Sequence, residues 1–140
     1  MKKGVYVLIL KMSEPRKIKI GSLGEREYSA GFYAYVGSAM GGLEGRIGRH
    51  LRKEKRLRWH IDHLLQFAEV VQVMTLETGQ KGGECLIAQG LKGFPVMKGF
   101  GSSDCRCPGH LFFSPSLEGL RLRCQAVIQE VASSLRKRGG

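Results

Sequence analysis

The segment Gly4-Val5-Tyr6-Val7-Leu8-Ile9-Leu10-Lys11-Met12 constrains this chain more than any other. Side chains alternate across a strand. Tyr6, Leu8 and Leu10 therefore share one face, and Val5, Val7 and Ile9 the other. A strand that is apolar on both faces must be covered on both, which places it inside a sheet with a layer on either side.

Glycine and proline divide the rest into elements. Ser13-Glu14-Pro15 is a turn. Lys17 to Ile20 is a short strand, closed by Gly21-Ser22-Leu23-Gly24, and Gly31 to Val36 is a third strand. Glu25 to Ala30 fits either strand or loop. Three consecutive strands on short turns predict an antiparallel meander. A helix is expected from Leu43 to about Lys53, with Leu43, Ile47 and Leu51 as its buried stripe. Others are expected from Trp59 to Phe67 and from Glu84 to Leu91, with strands at Val70 to Glu77 and His110 to Phe113. The last helix starts near residue 116, and the tail 136–140 is expected to fray. Together these elements predict one α/β (α+β sandwich) domain over 1–140: a small central antiparallel sheet of about three main strands flanked by helices.

Charge points to a partner. The chain carries 23 Lys and Arg against 12 Asp and Glu, a formal net charge of +11. That excess favours a polyanionic partner, nucleic acid first (DNA, with RNA as the alternative) and an anionic membrane surface second. The densest run is Arg49, Arg52, Lys53, Lys55, Arg56 and Arg58, which reads as a nucleic-acid-binding surface with salt-sensitive affinity. No stretch is long and apolar enough to span a bilayer, and no export signal is visible. The expectation is a cytoplasmic protein with reduced thiols, nucleoid-associated when bound to DNA and with no membrane partner.

The chemistry-bearing residues fall into two groups. If the first and third strands are neighbours, Tyr6 and Tyr35 line one sheet face beside the glycine-rich turn Gly37 to Gly42. Arg46 and His50 flank the stripe of the following helix, whereas Arg49 and Arg52 point away. Glu84 shares an apolar face with Ile87, Ala88 and Leu91, and a carboxylate there needs a metal ion or an arginine as partner. Hydrolysis of a phosphodiester needs a positioned nucleophile, charge stabilisation at the phosphoryl oxygens and often a metal ion, and phenols, a fixed cation and a carboxylate can supply all three. In the second group, Cys105, Cys107 and His110 can supply three zinc ligands, with Cys85, Asp104 or His63 as a fourth. The same thiols can instead simply pack over the active face. His60 and His63, three residues apart, can serve a metal or cap a helix.

Gly4-Val5-Tyr6 followed by Tyr35-Val36-Gly37, an arginine in the next helix and a glutamate in a later one resembles the GIY-YIG nuclease superfamily. More narrowly, Tyr35-Val36-Gly37-Ser38-Ala39, Trp59-His60-Ile61-Asp62 and Gly99-Phe100-Gly101-Ser102-Ser103-Asp104-Cys105-Arg106-Cys107 resemble an uncharacterised prokaryotic subfamily of it. That subfamily is a domain of unknown function (type 123), sometimes fused to an endonuclease III-like domain. The resemblance implies an α/β sandwich, a divalent-metal-dependent endonuclease acting on DNA in repair or recombination, and a catalytic set of Tyr6, Tyr35, Arg46, His50 and Glu84. Tyr6 would activate or orient the attacking water, Tyr35 would position the phosphate or water, and Arg46 would neutralise the phosphate. Glu84 would hold Mg2+ or Mn2+, and Ser38, His60, Asp104, Cys105, Cys107 and His110 would be accessory. The chain departs from the family in having Ser38 where DNA-repair members carry lysine, and in containing no asparagine. Two other functions fit the same residues: a nucleic-acid-binding module that does not cut, and a zinc-stabilised interaction domain beside a repair enzyme.

Overall fold

The computed structural model describes residues 2–80, 82–102 and 105–139. Ser103 and Asp104, and with Asp104 one of the expected accessory residues, lie outside them. The apolar N-terminal strand, β1 (Gly4–Met12), is interior to a four-stranded antiparallel sheet. Its neighbours are β4 (Gly31–Ala39) and β5 (Glu69–Glu77), and β6 (Leu111–Ser114) adds to the far side of β4, giving the order β5-β1-β4-β6. Val5, Val7 and Ile9 pack into one core under α3 (Gly83–Gly90) and α4 (Leu117–Gly139). Tyr6, Leu8 and Leu10 pack into a second core, beneath α1 (Leu43–Leu51), α2 (His60–Leu64) and the hairpin of β2 (Arg16–Ile20) and β3 (Gly24–Tyr28). Each such side chain contributes roughly 1.5–3 kcal/mol by leaving water.

The expected meander is corrected. β2 pairs with β3 alone, as a separate two-stranded sheet, and β1 pairs directly with β4. The reason lies in β2 itself. Ile18 and Ile20 are buried while Arg16, Lys17 and Lys19 are exposed, so the strand has only one apolar face and lies on the sheet rather than within it.

The stripe of α1 is also corrected. Leu43 is buried, but Leu51 is 54% exposed, and His50 is buried in its place. At 3.6 residues per turn, His50 lies two turns from Leu43 and returns to its face, whereas Leu51 has drifted past it. α2 stops at Leu64, short of Phe67, and α4 is helical to Gly139, through residues 136–139 of the expected frayed tail. Among the described residues no helix is long and apolar enough to cross a membrane.

Candidate functional site

Tyr6 and Gly37 are directly opposed across the β1–β4 ladder. A side chain at Gly37 would occupy the space filled by the Tyr6 ring and hydroxyl. The glycine therefore seats a large phenol in the second core, with its oxygen too close to allow a Cβ at residue 37. That oxygen lies 2.7 Å from Nε2 of His50. Tyr6 and His50 are 1% and 3% exposed. Burial pushes the Tyr6 phenol up to about 12, the Arg46 guanidinium acting the other way. Burial pulls His50 down to about 4. At neutral pH the pair is thus a protonated phenol beside a neutral imidazole. Nδ1 of His50 is buried with no partner among the described residues.

This pair predicts a pH dependence. The folded chain keeps His50 neutral to about pH 4, while the unfolded chain takes up the proton near the ordinary histidine value of 6.5. Stability is therefore lost as pH falls through that window, by up to about 3 kcal/mol. In urea unfolding between pH 7 and 4.5, the wild type is expected to lose at least about 1 kcal/mol more than His50→Gln; parallel losses would refute a buried neutral His50.

The arginines around the cleft are set by one buried acid. Asp62 has a fully buried side chain that accepts both guanidinium nitrogens of Arg49, at 2.8 and 2.9 Å, and the backbone N–H groups of Arg58 and Trp59, each at 2.8 Å. Burial alone would raise its pKa, but the Arg49 bonds and the two backbone donors overcome this and lower it. Arg49, expected to point away from the helix stripe, is thus turned inward. The Trp59 ring is flanked by the guanidiniums of Arg49, Arg46 and Arg58, at 4.1, 4.4 and 5.5 Å from its centroid. Arg46 is further held by the Ser38 carbonyl at 2.9 Å. Neither Arg46 nor Arg58 meets a carboxylate among the described residues.

Of the basic run, Lys55 also has a structural role: its ammonium donates to the carbonyls of His50 and Arg52 at 2.7 Å and of Arg49 at 3.3 Å, closing the end of α1. Arg52, Lys53, Arg56 and Arg58 remain exposed.

A cleft of about 260 Å3 runs past Tyr35, Ser38, Arg46, Arg58, Trp59 and Glu84, with Gly37 and His60 also in its wall. Gly37 is the thin point behind which the Tyr6 hydroxyl sits. Burial pushes the Tyr35 phenol well up, with Tyr6 and Glu84 adding to it, so Tyr35 is a hydrogen-bond donor at neutral pH. His60 accepts the Gly101 N–H at Nδ1, 2.9 Å, and packs edge-on against Phe100. An adjoining groove shares Ser38, Arg46 and Glu84 and reaches Cys85 and Cys105. A cavity of about 610 Å3 lies beyond Cys85 and Cys107, but its wall is largely apolar and holds none of the convergent groups above.

Glu84 is the hinge between the two groups of residues. Its Oε1 lies 2.9 Å from Nδ1 of the buried His110. The protein partner of Glu84 is thus a histidine, where an arginine is one of the two partners expected for it. On its other side, His110 presents Nε2 to Cys105 Sγ at 3.4 Å. The ligand atoms of Cys85, Cys105, Cys107 and His110 all lie within 4.8 Å of one another, an arrangement that can bind a metal ion. Cys85, left open beside Asp104 and His63 as a fourth ligand, is the residue found in the cluster. Asp62 is not among the expected site residues, although an acid at the third position of a helix, just after a run of cations, is a recognisable anchor.

The fold and cleft define a class: a layered α/β protein with a polar, cation-lined cleft on one sheet face and a cysteine–histidine cluster beside it. A family model described as a domain of unknown function, DUF123, matches residues 5–133, and the chain belongs to that family. No curated protein and no solved structure matches it.

Proposed function

We propose that the cleft binds nucleic-acid phosphate and hydrolyses phosphodiester bonds, as a divalent-metal-dependent endonuclease of GIY-YIG type acting on DNA. The observation that carries the reading is Arg46. It is fixed by the Ser38 carbonyl and by Trp59, meets no carboxylate among the described residues, and shares a cleft with Tyr35 and Glu84. A preorganised, uncompensated guanidinium is suited to a phosphate oxygen. Glu84 fits a magnesium- or manganese-type ion, since its second carboxylate oxygen has no protein partner among the described residues, and one carboxylate with water and phosphate completes such a site. Bound there, the ion would polarise the phosphate and lower the pKa of a coordinated water.

The protein groups divide the remaining work. Arg46 holds a phosphate oxygen, and Tyr35 donates a hydrogen bond to orient phosphate or water. The attacking water gives a proton to the Tyr6 oxygen as Tyr6 passes its own to Nε2 of neutral His50. The water oxygen bonds to phosphorus, the bond to the leaving oxygen breaks, and that oxygen takes up a proton from solvent.

In a plasmid-nicking assay with magnesium, Arg46→Ala and Glu84→Gln are each expected to lower the cleavage rate about 100- to 1,000-fold. A wild type that cuts no DNA or RNA faster than Tyr6→Phe/Glu84→Gln sinks the proposal. A second reading, a binding module that does not cut, is favoured by the exposed cations Arg52, Lys53, Arg56 and Arg58. It predicts salt-sensitive binding that survives Glu84→Gln and needs no metal.

A further inference from the structure

We infer that Cys85, Cys105, Cys107 and His110 hold one zinc ion in a closed tetrahedral site, and that Glu84 is the carboxylate that orients His110 toward it. The donors come from three places that the fold brings together. Cys85 is the third residue of α3, Cys105 and Cys107 lie in the loop before β6, and His110 immediately precedes that strand. The loop is tied down near the cluster: Gly99 N–H donates to the Pro108 carbonyl at 2.7 Å, His110 N–H to the Phe100 carbonyl at 2.7 Å, and Val36 N–H to the His110 carbonyl at 2.9 Å. A tetrahedral zinc with its usual bond lengths needs sulfur–sulfur edges of about 3.8 Å and sulfur–nitrogen edges of about 3.6 Å. The observed Cys105–His110 edge is 3.4 Å, and no pair of ligand atoms exceeds 4.8 Å.

The chemistry of the donors argues for zinc over the hard ion proposed for the cleft. Three thiols and an imidazole are a soft set, and magnesium takes oxygen ligands. All four cysteines are free, so no disulfide competes for these thiols. The second ring nitrogen of a metal-bound histidine characteristically faces a carboxylate, which fixes its orientation. Here Nε2 faces the thiols and Nδ1 faces Glu84, the orientation that such a ligand requires. The zinc site stands whether or not the cleft cuts DNA. Its further consequence, that zinc loading holds Glu84 in place in the cleft, rests on that reading.

The full chain, purified under reducing, chelator-free conditions, is expected to carry one zinc per molecule by elemental analysis and native mass spectrometry. Cobalt exchange is expected to give the intense visible bands and sulfur-to-metal charge transfer of a tetrahedral thiolate site. Cys107→Ser is expected to lower zinc affinity at least 100-fold in a chelator competition, and Glu84→Gln about 10- to 100-fold with the stoichiometry kept. Cys124→Ala, which removes a buried thiol outside the cluster, is expected to change neither. A metal-free wild type that takes up no cobalt, an iron-loaded or disulfide-bonded chain, or affinity unchanged in both Cys107→Ser and Glu84→Gln would each overturn the inference. Zinc content and DNA cleavage are separate readouts, so either proposal can fail alone.

Discussion

Asp62→Ala is expected to destabilise the protein by about 3–5 kcal/mol, the cost of breaking a buried ion pair from one side. The carboxylate is fully buried and takes four donors: two from Arg49 and one each from the Arg58 and Trp59 backbones. Its loss leaves the Arg49 guanidinium without its counter-ion and the first turn of α2 without its backbone acceptor. In thermal unfolding this should appear as a fall in Tm of more than about 10 °C. Asp62→Asn, which can still accept some of these bonds, should cost less. The effect reaches the cleft as well, because Trp59 sits on Arg49 and in turn carries Arg46 and Arg58. An Asp62→Ala chain whose stability stays within 1 kcal/mol of wild type would show that Asp62 anchors nothing.

Gly37→Ala is expected to cost about 1–3 kcal/mol by overpacking and to abolish whatever chemistry depends on Tyr6. The added methyl would meet the Tyr6 ring and hydroxyl, and the two backbones are held opposite one another by the β1–β4 ladder. Tyr6 must swing off His50, and the wall between its hydroxyl and the cleft is closed. Gly48→Ala is the control. It lies on the exposed side of α1 with open space around it, so the methyl should stabilise the helix by about 0.5–1 kcal/mol. Equal stability and equal activity for Gly37→Ala and wild type would show that Gly37 is not the seat of Tyr6.

How legible these features were in the sequence depends on their range. The two-faced pattern of Val5 to Leu10 is local, and it places β1 inside the sheet with a core on each side. Which strand lies beside β1 is not local: the short turns favour β2, and only the one-sided burial of Ile18 and Ile20 shows why β2 leaves the sheet. On α1, a spacing of four brings out Leu51, but the fractional turn returns His50 to the buried face. Arg46 and Glu84 could be picked out as unusual residues, and the structure brings both to one cleft. The contact of Glu84 with His110 crosses 26 residues and two elements, and no spacing rule reports it. Likewise Cys105 and Cys107 announce themselves, while Cys85 joins them only through the packing of α3 against the loop.

Trp59 gives the molecule an optical property. It is the single tryptophan of the chain, and three guanidiniums surround its ring at the cleft wall. Indole emission responds to nearby charge and to hydration, so an anion that draws Arg46 or Arg58 off the ring changes the fluorescence without any attached dye. The protein therefore carries its own reporter of cleft occupancy, one that can follow ligand entry in real time and whether or not a bond is cut.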